Sequence, residues 1–157
     1  MSILKVYWDS DCFLGWFKNE RDKINKCKGT VEKAKKGELK IITSAITLTE
    51  VIRLKDKLPL TQQDEKKISD FFKHEYIIIQ NLDRKIAEFS RNLIWKHPAL
   101  KPKDSIHVAT AILRKIPILN TFDEGLLSLD NRYGSPPLHI CHPDIPWQGQ
   151  LSFVDTK

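Results

Sequence analysis

The feature that most constrains this chain is its alternation of short apolar, β-branched runs with amphipathic stretches. Residues 3–8, 39–43, 76–80 and 117–122 each read as a strand, and residues 138–141 as a last extended piece. Between them the period lengthens to that of a helix. Helices are expected over 13–27 and over 45–57, with a break at Pro59. Another opens at Thr61-Gln-Gln-Asp64, which has capping-box spacing. Asp83 could cap the next, in which Ile86, Phe89, Leu93 and Ile94 recur at i, i+3, i+7 and i+8. A further helix is expected over 104–115. Strands separated by helices build βαβ units, and those units build a mostly parallel sheet covered on both faces. The expected fold is a single-domain, three-layer α/β/α structure with a sheet of about five strands. No internal repeat, low-complexity tract or linker divides the 157 residues, a length that supports one core.

Composition narrows the function classes. No apolar run approaches the roughly 18 residues of a membrane span, and the start of the chain lacks a signal-peptide pattern, so a cytoplasmic protein is expected. Cys12, Cys27 and Cys141 are odd in number and form no Cys-x-x-Cys pair, which argues against a disulfide framework or a zinc ribbon. A net charge of +6 favours polyanionic partners such as nucleic acid, although a basic soluble protein of any kind would share it.

Function then depends on where the carboxylates fall. Asp9 directly follows the first strand and Asp123 the strand holding Ile118 and Leu119. In an open parallel sheet ligands bind beyond the carboxyl ends of the strands, so both acids stand at the functional edge. Glu50 lies in the helix that starts from the same edge after the second strand. Asp104 is placed by length. Residues 104–115 make about 18 Å of descending helix at about 1.5 Å per residue. Residues 118–123 make about 20 Å of returning strand at about 3.3 Å per residue. Asp104 and Asp123 are therefore expected at one edge.

Clustered carboxylates must share protons or bind a cation. Oxygen-only ligands suit Mg²⁺ or Mn²⁺ rather than zinc. Such an ion activates water and neutralises the leaving oxygen of a phosphodiester. Arg91, Lys96, Lys101 and Lys103 precede Asp104 and are candidates to hold an RNA backbone, each also readable as a solvated surface charge.

Four blocks carry a resemblance. Val6-Tyr-Trp-Asp9-Ser-Asp11, Thr43-Ser-Ala-Ile-Thr-Leu-Thr-Glu50, Lys103-Asp104-Ser-Ile-His-Val-Ala-Thr-Ala111 and Ile118-Leu-Asn-Thr-Phe-Asp123 resemble, in order and spacing, the motif blocks of PIN domains. The resemblance covers about residues 5–129 and leaves a C-terminal strand and tail over 130–157. It implies a sheet in the order 3-2-1-4-5 and a Mg²⁺- or Mn²⁺-dependent endoribonuclease. It further implies that Asp9, Glu50, Asp104 and Asp123 form the metal-site acids, with Ser10 and Thr121 in support. Many members are VapC-type toxins of toxin–antitoxin pairs, so an antitoxin protein and a homodimer are implied partners beside RNA. Two positions depart from the pattern. Asp11 stands where many members have Asn, as a fifth metal-binding acid or a cap of the first helix. His107 stands where many have a small or apolar residue, and reads best as a histidine hydrogen-bonded beside the site.

Two other readings stay open. Trp8-Asp9-Ser-Asp11 also fits the Asp-x-Asp of a haloacid-dehalogenase-like phosphatase, with Thr43 or Ser44 as its phosphate-binding hydroxyl, but leaves Glu50 and Asp104 unused. A non-catalytic nucleic-acid-binding module of the same fold is the other. The run His139-Ile-Cys141-His142 reads as an edge strand rather than a metal site, because its side chains alternate faces. Of Trp8, Trp16, Trp95 and Trp147, each a potential base-stacking ring, Trp8 and Trp16 read as core or interface.

Overall fold

The structure is a computed structural model that describes residues 3–18, 21–52 and 60–144. Five strands run parallel: β1 (Leu4–Trp8), β2 (Leu39–Ser44), β3 (Ile77–Gln80), β4 (Ile118–Asn120) and β5 (His139–Cys141). They lie in the order β3-β2-β1-β4-β5. The chain thus switches direction at β1, and the crevice beyond β1 and β4 is where such a sheet binds ligands.

Strand alternation divides the core into two layers. Val6 and Trp8 of β1 point to one face, where Phe13 and Cys12 of α1 (Ser10–Phe17) join Cys27 and Val31 of α2 (Arg21–Lys35). Phe71 of α4 (Gln62–Phe71) and the adjoining Phe72 close that layer, with Phe13 edge-on to Trp8 at 5.0 Å. Tyr7 points to the other face. There it meets Ile86 and Leu93 of α5 (Arg84–Lys96), Val108 and Ala111 of α6 (Pro102–Leu113), and Leu126 of the short α7 (Glu124–Leu127). The fold is the expected three-layer α/β/α arrangement.

Two helices differ from expectation. The stretch over 13–27 is not one helix but parts of α1 and α2, which pack closely where Gly15 of α1 meets Lys23 of α2. A Cβ there would stand 2.9 Å from Lys23 Cβ, so only glycine permits the crossing. In one unbroken helix residues eight apart lie about 12 Å apart along the axis. The helix expected over 45–57 is a single turn, α3 (Thr47–Glu50), ending at Val51. Its later part and Pro59 lie outside the described residues, as does Trp147.

The caps behave as the sequence suggests. Asp83 accepts the Ile86 N–H at 2.9 Å and Thr61 accepts the Asp64 N–H at 3.1 Å. Thr61→Ala should cost about 1 kcal/mol of stability, measured by urea unfolding, by stranding a helix-terminal donor. No measurable loss would mean that water satisfies that donor equally well.

Candidate active site

The carboxyl edge of the sheet assembles the site from strand ends and helix starts. Asp9 follows β1 in an extended conformation and caps α1, accepting the Cys12 N–H at 3.1 Å. Its other oxygen accepts the Thr121 hydroxyl at 2.5 Å, which fixes the carboxylate from both sides. The cap of the first helix is therefore Asp9, not Asp11, which lies within the first turn. Asp9 is only 2% exposed. Burial pushes its carboxyl up to about 6; the Asp11 charge adds to the rise, while His107, Thr121 and the Cys12 amide oppose it.

Glu50 ends α3 and reaches back under α1. Its Oε1 accepts the Ser10 hydroxyl at 2.5 Å and lies 3.3 Å from His107 Nε2, while its Oε2 faces Lys103 Nζ at 3.4 Å. Burial pushes this carboxyl up, but the hydrogen bonds from His107 and Ser10 and the nearby positive charges outweigh it, bringing it down to about 2. His107, 1% exposed, also shares a 2.7 Å hydrogen bond between Nδ1 and the Tyr7 hydroxyl. A buried chain of contacts thus runs Tyr7–His107–Glu50–Ser10 and holds Glu50 in one pose. Of its members, Tyr7 is the one sequence reasoning missed. A tyrosine on a buried strand needs a partner for its hydroxyl, and the histidine on the helix packed against that face supplies it.

Asp104 sits in the first turn of α6, two residues after Pro102 starts the helix, and Asp123 caps α7 by accepting the Leu126 N–H at 3.0 Å. The two line one cleft. Burial raises the Asp104 carboxyl first, and the Asp123 and Asp11 charges raise it further against Lys103 and His107. Burial pulls the Lys103 ammonium down, yet Glu50, Asp104 and Asp11 together hold it above its ordinary range. The Asp11 charge is thus felt by both Asp9 and Asp104.

The acids therefore stand along one edge as neighbouring groups. Among the described residues no three His, Cys, Asp or Glu side chains are drawn close enough to grip one ion. The donor set nevertheless fits a hard divalent cation. It is all oxygen, the Asp104 carboxylate accepts no hydrogen bond from a described residue, and burial first, with the Asp11 charge at both and the Asp123 charge at Asp104, raises Asp9 and Asp104.

The basic candidates separate. Lys101 lines the Asp104–Asp123 cleft and Lys103 is tied to Glu50. Lys96 lies over the Tyr133 ring at 5.9 Å, and Arg91 over Trp95 at 4.7 Å. Trp95 is 69% exposed, whereas Trp8 is fully buried and Trp16 packs against the core. Sequence reasoning passed over His97 and Arg132, which line the same cleft from the end of α5 and from beyond α7. The tail residues point apart. His139 turns to Asp130 at 2.9 Å, His142 to Lys26 at 3.1 Å, and the Cys141 sulfur accepts the Asn120 side-chain amide at 3.6 Å.

Comparison with known families decides the kinship, since a family model described as the PIN domain matches residues 6–131. The chain belongs to the PIN-domain family. PIN domains are generally metal-dependent nucleases, and the strand order, the single turn carrying Glu50 and the acid-bearing ends of β1, α6 and β4 all lie within the matched span. No curated protein matches the chain significantly. Among the described residues no helix is long and apolar enough to cross a membrane.

Proposed function

We propose that this PIN domain is an endoribonuclease that hydrolyses RNA phosphodiester bonds with Mg²⁺ or Mn²⁺. The observation that carries the reading is the set of carboxylates at the β1–β4 crevice, with Asp9 held by the Thr121 hydroxyl and the Cys12 amide and with Asp104 and Asp123 lining one cleft. Asp9, Asp104 and Asp123 would hold the ion, with Asp11 beside them and Glu50 completing the acid set. Bound there, a divalent ion lowers the pKa of water and neutralises the leaving oxygen. The chain's own side chains do the positioning. Thr121 and the Cys12 amide keep Asp9 in one orientation. Glu50 anchors Lys103, whose ammonium stands beside Asp104 and Asp11 and can meet a phosphate oxygen.

A phosphatase reading fares worse on a specific point. Thr43 and Ser44, its candidate phosphate-binding hydroxyls, are both fully buried. Thr43 donates to the Trp8 carbonyl at 2.8 Å, and Ser44 accepts the Ile46 N–H at 3.1 Å. The two readings also disagree about Glu50 and Asp11. Glu50→Gln should lower RNA cleavage more than Asp11→Asn, because only the first releases Lys103 and breaks the acid set. The reverse order, joined with turnover of a phosphomonoester, would favour the phosphatase.

A cytoplasmic toxin paired with an antitoxin, and a homodimer, are further parts of this reading that rest on the VapC resemblance. Growth arrest on induced expression, relieved by the Asp104→Asn variant, would support the toxin role. Unaffected growth with active enzyme would remove it.

A further inference from the structure

Glu50 is held differently from the other acids. Its turn, α3, is pinned to β2 by the Thr43–Thr47 hydroxyl pair at 2.7 Å and by the Ser44 hydroxyl, which accepts the Ile46 N–H at 3.1 Å. From that fixed base the side chain reaches two other elements. Oε1 accepts the Ser10 hydroxyl at 2.5 Å and lies 3.3 Å from His107 Nε2, and Oε2 lies 3.4 Å from Lys103 Nζ. An ionised carboxylate can only accept, so Nε2 carries a proton and donates it. Nδ1 shares a 2.7 Å hydrogen bond with the Tyr7 hydroxyl of β1, which fixes the ring from behind. Ser10, His107 and Tyr7 are all buried, where a donor without a partner is costly.

These partners are chain neighbours of the other acids. Ser10 follows Asp9, Lys103 precedes Asp104, and His107 lies one helical turn beyond Asp104 on α6. Glu50 therefore ties the segment that carries Asp9 to the helix that carries Asp104. Three donors already face a carboxylate that has about four lone-pair positions. We propose that Glu50 is a strut between the Asp9 and Asp104 segments and not a ligand of the ion, with His107 and Tyr7 as the positioning residues that aim it. This departs from the ligand set that the four motif blocks imply. By keeping Lys103 beside Asp104, the strut also places the ammonium that meets the substrate phosphate. The inference rests on the metal-dependent reading for the presence of an ion, and on the hydrogen bonds alone for the strut.

The test measures Mn²⁺ binding by calorimetry, melting in EDTA, and the kinetics of a single-stranded oligoribonucleotide, all on the full chain. Glu50→Gln keeps an oxygen for Ser10 and His107 and loses the charge that faces Lys103. Its Mn²⁺ dissociation constant should stay within about threefold of the wild type, whereas Asp104→Asn should raise it at least about tenfold. In EDTA, Glu50→Gln should melt below the wild type, having lost an ion pair, and Asp104→Asn at or above it, having lost a repelled charge. His107→Leu removes the donor to Glu50. It should raise KM about tenfold through the release of Lys103, with Mn²⁺ affinity unchanged. His107→Gln, which can still donate, should recover most of that loss, a rescue that a purely structural role would not give. Tyr7→Phe removes a single hydroxyl and should shift KM in the same direction by less, which keeps the test open if His107→Leu does not fold. Loss of Mn²⁺ affinity in Glu50→Gln as large as in Asp104→Asn would make Glu50 a ligand and overturn the strut. Unchanged KM in folded His107→Leu and Tyr7→Phe would remove the two positioning residues. A wild-type chain that binds no Mn²⁺ would remove the metal reading and leave the strut to the melting curves in EDTA, where Glu50→Gln melting at or above the wild type would overturn it.

Discussion

Asp9→Asn and Asp104→Asn are each expected to reduce RNA cleavage by at least about 100-fold while leaving the protein folded, since even residues that only support a metal ligand commonly cost about 10–100-fold. Asn nearly preserves the volume and the hydrogen-bonding reach of each side chain, and as a helix cap it serves almost as well as Asp. At Asp9 the Asn amide oxygen can still accept the Cys12 N–H, and its NH2 can donate to the Thr121 hydroxyl, which now donates to the carboxylate. What is lost is the charge proposed to hold the cation. Circular dichroism and a melting curve separate the outcomes. A folded variant with full activity removes the residue from the site, and an unfolded one assigns it to the scaffold.

The same substitution carries a pH signature. Burial lifts the Asp9 carboxyl to about 6 in the folded chain, against an ordinary value of 3.8. In chelator, the unfolded chain therefore releases this proton before the folded one does. A carboxyl raised by folding stabilises the fold at low pH, and that stabilisation is lost as pH rises from about 4 through about 6. At about 1.4 kcal/mol per pKa unit the loss is on the order of 3 kcal/mol. Relative to Asp9→Asn, which lacks the titration, the wild type should become progressively less stable across that window and change no further above it. With about 2–4 °C of melting temperature per kcal/mol for a chain of this size, the divergence is easily measured. Added Mn²⁺ should close the gap at pH 8 by neutralising the acids. A difference between the two proteins that stays constant from pH 4 to pH 8 would contradict the buried-carboxylate account.

Much of this was legible in the residues. Apolar strand runs fixed the sheet within a residue or two at most strand ends, because β-branched residues at two-residue spacing have few other uses. The length match of α6 and β4 brought Asp104 and Asp123 into one cleft. The helix pair α1–α2 was missed because both segments share a helical period, while their close packing is written only in Gly15, where a Cβ would strike Lys23. The helix after β2 was overdrawn for a related reason. Apolar periodicity says nothing about Glu50 turning inward to Ser10, His107 and Lys103, which makes it an internal anchor at the end of a single turn. The cleft residues His97 and Arg132 come from separate loops whose meeting no local pattern records. Even so, the histidine departing from the family pattern at position 107 was a sound signal of something hydrogen-bonded beside the site, and its partners are Tyr7 and Glu50.

The proposed role of the carboxylates at the β1–β4 crevice is to hold a cation at which RNA is cleaved. Incubating the purified chain with RNA in Mn²⁺ and in EDTA, and identifying the ends of the fragments, tests it most directly. Cleavage is expected in Mn²⁺ alone, with 5′-phosphate and 3′-hydroxyl ends, because a bound ion would supply an activated water to attack the phosphorus and displace the 3′ oxygen. Undiminished cleavage in EDTA, or fragments ending in a 2′,3′-cyclic phosphate, would contradict it.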